Sequence, residues 1–285
     1  MKTLCLYASY VDGIGLPYYS GIYVSELKKH FTDVIYLHSN QLDRDSIDFL
    51  DQQSVNHQLL DNQGFDFGQW KQALSTISLD KYDQLCLVND SCILFASLSH
   101  LIEWFNKSKL DFGGLTKSEY QKEHIQSYFL LFNKNTFNDL VNYFKNTKTS
   151  NDIKQVISDF EIGLSQYLIS KNYSGDSFLT NDGYIGEFSP YYQCVNYHIK
   201  NGSPMIKKKI IFSSFRKDEL FTLARMNFDI NIDSYINLIK ENNDQLILSF
   251  EMLLKSEKNK LSQLDRIKYS LNCLMIQYYR KFKRD

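Results

Sequence analysis

The sequence predicts an α/β fold with a mainly parallel central sheet and a helical C-terminal extension, and three observations carry that prediction. Strand-like residues 4–7, a helical stretch over 18–31 and strand-like residues 34–37 follow one another within about thirty residues, the size of a βαβ unit with parallel strands. The run Leu85, Cys86, Leu87, Val88 has no polar interruption, the pattern of a strand buried on both faces. Beyond residue 213 only helical stretches are expected, with no long Pro- or Gly-rich linker before them, so a core over 1–212 should carry an extension over 213–285 packed on it.

Each element has its own signal. Leu4, Cys5, Leu6 and Tyr7 make the first strand, and Asp12-Gly13-Ile14-Gly15-Leu16-Pro17 is a turn-rich loop leading into the first helix. Gly13 and Gly15 lack the third glycine of a dinucleotide fingerprint, which argues against a Rossmann-type enzyme. Residues 43–53 read as a polar helix or loop and 57–60 as a short strand, after which Trp70, Ala73, Leu74 and Ile77 place a helix from about Gln69. Helices are expected over 98–106, 136–144 and 152–170, the last turning Ile153, Val156, Ile157, Phe160, Leu164 and Leu168 inward. Residues 110–116 read as a strand breaking into a loop, 124–132 as a strongly β-prone run, and 183–193 as an aromatic loop. Helices near 217–226, 232–241, 245–257 and 260–281 complete the extension.

The 32 Lys and Arg offset 33 Asp and Glu, which gives no electrostatic reason to expect a nucleic acid. An apolar fraction of 43% is ample for a sizeable core and excludes disorder. Cys5, Cys86, Cys92, Cys194 and Cys273 contain no Cys-x-x-Cys pair and mostly sit in apolar runs, so buried thiols in a reducing compartment are expected. No signal peptide or membrane-spanning run is evident, which points to the cytoplasm. Leu261, Leu264, Ile267, Leu271, Leu274 and Met275 recur at helical spacing before a basic end. That face either packs on the core or docks peripherally on the inner face of the membrane.

Three acids stand where chemistry is expected. Asp90 follows the most buried strand, at the carboxyl edge where open α/β sheets bind ligands, although Asn89-Asp90-Ser91 is equally a turn sequence. Asp66, between Gly64 and Gly68, either complements a helix N-terminus or meets a base or sugar hydroxyl whose approach the glycines permit. Glu161 sits beside the apolar stripe of its helix, a place more often occupied by a solvated acid.

Four patterns occur in order: Asn62-x-Gly64-Phe65-Asp66-Phe67-Gly68-x-Trp70, then Val88-Asn89-Asp90-Ser91, then Asp111-Phe112-x-Gly114-Leu115-Thr116, then His124-Ile125-Gln126-Ser127-Tyr128-Phe129. Together they resemble the rhamnan synthesis F family of bacterial polysaccharide glycosyltransferases, with a looser echo in Gly202-x-Pro204-x-Ile206-Lys207. The resemblance implies a GT-A-like sandwich that moves a sugar, rhamnose or a similar deoxyhexose, from a nucleoside-diphosphate donor to a cell-surface polysaccharide or lipopolysaccharide, with inversion. It implies donor binding by Gly64, Asp66, Asn89, Asp90, Ser91 and Lys207, and sugar or acceptor binding by Thr116, His124, Gln126 and Ser127. A divalent metal ion, Mn2+ or Mg2+, is expected on Asp90 with His198, although one acid replaces the usual two and lysines 207 to 209 offer substitute positive charge. Glu161 aligns with the family's acidic base, and a shift of register favours Asp159. At a helix start against an apolar wall, such a base should have a raised pKa. The alternative is a catalytically silent sugar-nucleotide or glycan-binding subunit.

Overall fold

The computed structural model describes residues 1–119, 121–179, 195–212 and 235–238. Its centre is β1 (Thr3–Ser9), which pairs in parallel with β2 (Asp33–His38) on one side and β4 (Gln84–Asn89) on the other. β3 (Asn56–Leu59) adds a fourth parallel strand beside β2. Every residue of β1 and β4 is buried, as an unbroken apolar strand run requires. Alternate side chains feed two cores: Cys5, Tyr7, Cys86 and Val88 face one way, Leu4, Leu6, Leu85 and Leu87 the other.

Past β4 the sheet changes character. β8 (Phe129–Asn133) runs antiparallel to β4, and β6 (Phe112–Ser118) runs antiparallel to β8. β6 also carries the short antiparallel β7 (His124–Ile125) and the parallel β9 (Gly175–Leu179). The eight-stranded sheet is therefore mixed, parallel in its N-terminal half. β6, β7 and β8 follow one another without a helix between them, and only antiparallel pairing permits such short connections.

Around the sheet lie α1 (Tyr18–His30), α2 (Arg44–Gln52), α3 (Phe65–Thr76), α4 (Ser99–Ser108) and α5 (Phe137–Asn146). Residues 43–53 resolve to a helix because the Asp43 carboxylate caps it, accepting from the Ser46 backbone N–H at 2.9 Å. α3 begins four residues before the expected Gln69, entered through Gly64 in the left-handed region at φ 85°. The last long helix is not uniform: α6 (Ile153–Val156) passes through a π-helical stretch (Ile157–Ile162) into α7 (Gly163–Ser170). The expected inward stripe fails at its start, where Ile153 and Ile157 are 51% and 38% exposed. The wider π turn shifts the helical phase, so an α-helical count from Leu164 backward misplaces those two residues.

A second, two-stranded ladder was not expected. β5 (Cys92–Leu94) follows the Asp90 turn and pairs antiparallel with β10 (Met205–Lys207), which leads into a short helix (Lys208–Phe212). The helix Val195–Lys200 precedes it. Of the extension, residues 235–238 are described and helical. Tyr235 and Ile236 are buried, with the Tyr235 ring 5.3 Å from Phe95 and 6.3 Å from Tyr18. The other expected extension helices, the loop over 183–193 and Cys194 and Cys273 lie outside the described residues. Cys5, Cys86 and Cys92 are buried free thiols. Among the described residues, no helix is long and apolar enough to cross a membrane.

Candidate active site

The carboxyl edge of β1 and β4 holds a buried ion pair. The Asp90 backbone N–H donates to the Ala8 carbonyl at 3.1 Å, which fixes the turn after β4 against β1. The Ser9 hydroxyl then donates to Asp90 Oδ2 at 3.2 Å, and Lys208 Nζ stands 3.2 Å from the same oxygen. Lys208 Nζ also donates to the Tyr19 hydroxyl at 3.1 Å and lies 4.7 Å from that ring's centroid. Lys208 is 6% exposed, and such burial alone pushes an ammonium pKa down. Asp90 and the Tyr19 hydroxyl outweigh it and hold the pKa above its ordinary value, so Lys208 stays charged.

Asp66 meets this edge from the first turn of α3. Its carboxylate accepts from the Phe67 backbone N–H at 3.0 Å and from the Asn89 side-chain amide. Burial pushes its pKa up to about 6, the nearby Glu161 and Asp90 charges add to the rise, and the two hydrogen bonds oppose it. Asn89 spends its carbonyl oxygen on the Ser91 backbone N–H at 3.1 Å. Both readings of Asn89-Asp90-Ser91 thus hold at once: Asn89 and Ser91 make the turn, and the turn aims the Asp90 carboxylate at Lys208.

Glu161 forms the opposite wall. Its Oε2 accepts from the Ser127 backbone N–H at 3.0 Å and from the Ser127 hydroxyl, while His124 Nε2 stands 3.5 Å from Oε1. His124 Nδ1 donates to the Lys122 carbonyl at 2.8 Å; burial alone lowers the imidazole pKa, but Glu161 outweighs it and raises it, so the protonated ring also turns an Nε2–H toward the acid. Lys207 adds positive charge and packs its ammonium 4.7 Å from the Tyr128 ring centroid. Burial by itself raises the Glu161 pKa, but His124, Lys207 and Ser127 reverse this and hold it at about 2. The expected raised pKa is therefore corrected. Glu161 faces cations as well as apolar side chains, and it stands within a continuous helical run rather than at its start.

The π stretch decides which acid faces inward. Gly163 N–H reaches back five residues to the Ser158 carbonyl, which leaves the Asp159 carbonyl to accept from the Tyr143 hydroxyl instead. The Asp159 carboxylate accepts from Gln155 on its own helix at 2.6 Å, away from His124 and Ser127. Glu161 is the member of the pair that joins the cluster.

The family model for Rhamnan synthesis protein F matches residues 34–282. The chain belongs to that family. It is also 34% identical to Virulence protein VirA of Vibrio anguillarum over 119 residues, 39% of this chain and 38% of that protein. The chain thus aligns with under half of that relative's length. The glycosyltransferase GlyE of Streptococcus pneumoniae TIGR4 is similar in shape at a TM-score of 0.44, with 10% identity over 83% of this chain and 64% of that one. HddC of Yersinia pseudotuberculosis gives a TM-score of 0.37, with 16% identity over 63% and 91% of the respective chains. Nothing about the site follows from these two likenesses.

Some expected site residues also have structural work of their own. Thr116 is fully buried, donates to the Gln126 side-chain carbonyl at 2.8 Å and bonds the Tyr128 hydroxyl, so it links those two residues. A Cβ on Gly64 would lie 3.2 Å from the Thr149 methyl, and one on Gly68 would fall 1.8 Å from the Gln63 carbonyl oxygen. Both positions thus need glycine for the chain's own packing. His198 is buried in the short helix Val195–Lys200.

The donor set does not fit a divalent ion. Asp90 Oδ2 already bonds an ammonium, and no cluster of three or more His, Cys, Asp or Glu side chains able to hold a metal occurs among the described residues. The expected Asp90 and His198 metal site is corrected on that ground. Tyr19 and Ser9 are residues that sequence reasoning passed over, and Lys208 was named only within the run 207 to 209. The Lys207-Lys208-Lys209 run was visible, but which lysine meets Asp90 depends on the β5 and β10 register.

Proposed function

We propose that this chain is a glycosyltransferase that takes a sugar, rhamnose or a related deoxyhexose, from a nucleoside-diphosphate donor. It passes that sugar to a growing cell-surface polysaccharide or lipopolysaccharide with inversion at the anomeric carbon. Family membership supports the substrate class. The observation that carries the chemistry is the meeting, at one sheet edge, of Lys207 and Lys208 with an ionised Glu161. Departure of the diphosphate leaves an electron pair and negative charge on its terminal oxygen, and fixed cations stabilise that charge more in the transition state than in the ground state.

The acceptor hydroxyl oxygen attacks the anomeric carbon as the carbon to phosphate bond breaks, and Glu161 Oε1 takes the hydroxyl proton. A carboxylate held at about 2 is a weak base. It is also ionised at every working pH, and an attacking hydroxyl becomes strongly acidic as its new bond forms, so strong basicity is not required. Ser127 and His124 orient the carboxylate.

The low Glu161 pKa equally favours a second reading, a silent subunit that binds sugar nucleotides or glycans without turnover. Release of nucleoside diphosphate from dTDP-rhamnose and from a panel of UDP- and GDP-sugars separates the two. Release above the uncatalysed rate from at least one donor is expected. Saturable donor binding with no release from any, acceptor glycan present, leaves the silent reading standing and removes the enzymatic one.

A further inference from the structure

We propose that Lys208 is a resident cation in the place of a divalent ion, so that the chain binds the diphosphate of its donor without metal. This rests on the nucleotide-sugar reading above and deepens it. A metal ion on Asp90 would sit about 2.0–2.6 Å from a carboxylate oxygen. Lys208 Nζ stands 3.2 Å from Oδ2, which would bring two cations into near contact in a buried place. Two cations on that one oxygen would repel each other, and the fold has built in the lysine.

The lysine is held from every side. Its backbone N–H donates to the Ser91 carbonyl at 2.9 Å, directly after Asp90, and the β5 and β10 ladder sets Lys207 opposite Cys92 just before it. Its side chain is gripped by Asp90 and by the hydroxyl and ring of Tyr19. An ammonium has three N–H donors. Asp90 and Tyr19 take two, and the third is left for a phosphate oxygen. The neighbouring Lys207 leaves in another direction, over Tyr128 and toward Glu161, so adjacent lysines serve different acids. Asp90 then has a role that needs no metal: it fixes and charges Lys208.

The test is the binding of dTDP and UDP to the full chain by thermal shift and calorimetry, in excess EDTA and again with Mn2+ or Mg2+. The expected result is the same affinity in both conditions for whichever nucleotide binds. Lys208→Met should weaken that affinity by about ten- to a hundred-fold, the scale of a charge-assisted hydrogen bond. Binding by the wild-type chain that EDTA removes and Mn2+ or Mg2+ restores overturns the proposal and leaves the glycosyltransferase reading intact. Wild-type affinity in a folded Lys208→Met chain overturns it too. If neither nucleotide nor their sugars bind in either condition, the nucleotide-sugar reading falls and this inference with it. Where Lys208→Met does not fold, Lys208→Gln takes its place in the affinity measurement, and wild-type affinity in that variant overturns the proposal in the same way.

Discussion

The two halves of the sheet bring acids to the same cleft and treat them in opposite ways. In the parallel half, burial first and the nearby Glu161 and Asp90 charges second raise the Asp66 pKa to about 6. From the antiparallel half, β7 and the turn into β8 supply His124 and Ser127, which with Lys207 hold Glu161 at about 2. Acids in one cleft whose environments push them apart are suited to different tasks. At neutral pH Glu161 is a committed carboxylate, while Asp66 is close enough to its titration to respond to what binds beside it.

The sharpest way to break this contrast is to remove basicity from one acid at a time. Glu161→Gln keeps the shape and should lower turnover by about 100-fold or more with donor affinity nearly unchanged, whereas Asp159→Asn should turn over like the parent. Steady-state kinetics on both variants check it. An active Glu161→Gln beside a dead Asp159→Asn would move the base to Asp159.

The next effect is on stability, and its sign differs between the two acids. Asp66 holds a proton in the folded chain that the unfolded chain releases between its ordinary 3.8 and about 6, so its contribution falls as pH rises through that window. Glu161 has its pKa lowered from 4.5 to about 2, so its contribution is fully present above 4.5 and is lost as pH falls toward 2. At pH 7, Asp66→Asn should therefore stabilise and Glu161→Gln destabilise, each by about 1–3 kcal/mol after allowance for solvent. Urea midpoints from pH 3 to 8 report both, and equal signs would refute the contrast.

The smallest expected effect concerns the π stretch. Tyr143→Phe strands the Asp159 carbonyl and should cost about 1 kcal/mol. If that carbonyl helps hold the phase of the helix, turnover should also fall by several-fold, with little change in donor affinity. Kinetics that stay at parent values would show that Glu161 is positioned by Ser127 and His124 alone.

How much of this was legible depends on how local the signal is. β1, β2 and β4 were visible because strands buried on both faces have unbroken apolar runs, and Asp90 was placed by where such a run stops. The patterns compared as a set named Asp66, Asn89, Ser127 and His124, but the bonds that join Asp66 to Asn89 and Glu161 to Ser127 and His124 are seen only in the fold. The partner of Asp90 was not legible, since the register between β5 and β10 joins segments far apart and no periodicity encodes it. The π stretch was hidden as well, because one extra residue per turn leaves both flanking helices with ordinary spacing. What crowds Gly64 and Gly68, Thr149 and the Gln63 carbonyl, was not legible for a related reason: it is settled by tertiary packing.

The wide separation of the Lys208 contacts also sets an order of events during synthesis. Tyr19 and Lys208 are 189 positions apart. At roughly 5–20 residues per second, the ribosome needs about 10–40 s between them. Within that interval β2 and then β4 are made and become free to pair with β1, and Asp90 then waits at their edge without its counter-charge. The cleft can close around an acid only after the lysine arrives, so the site should be among the last parts of the core to mature, and a chain truncated before β10 should lack it however well its sheet has formed.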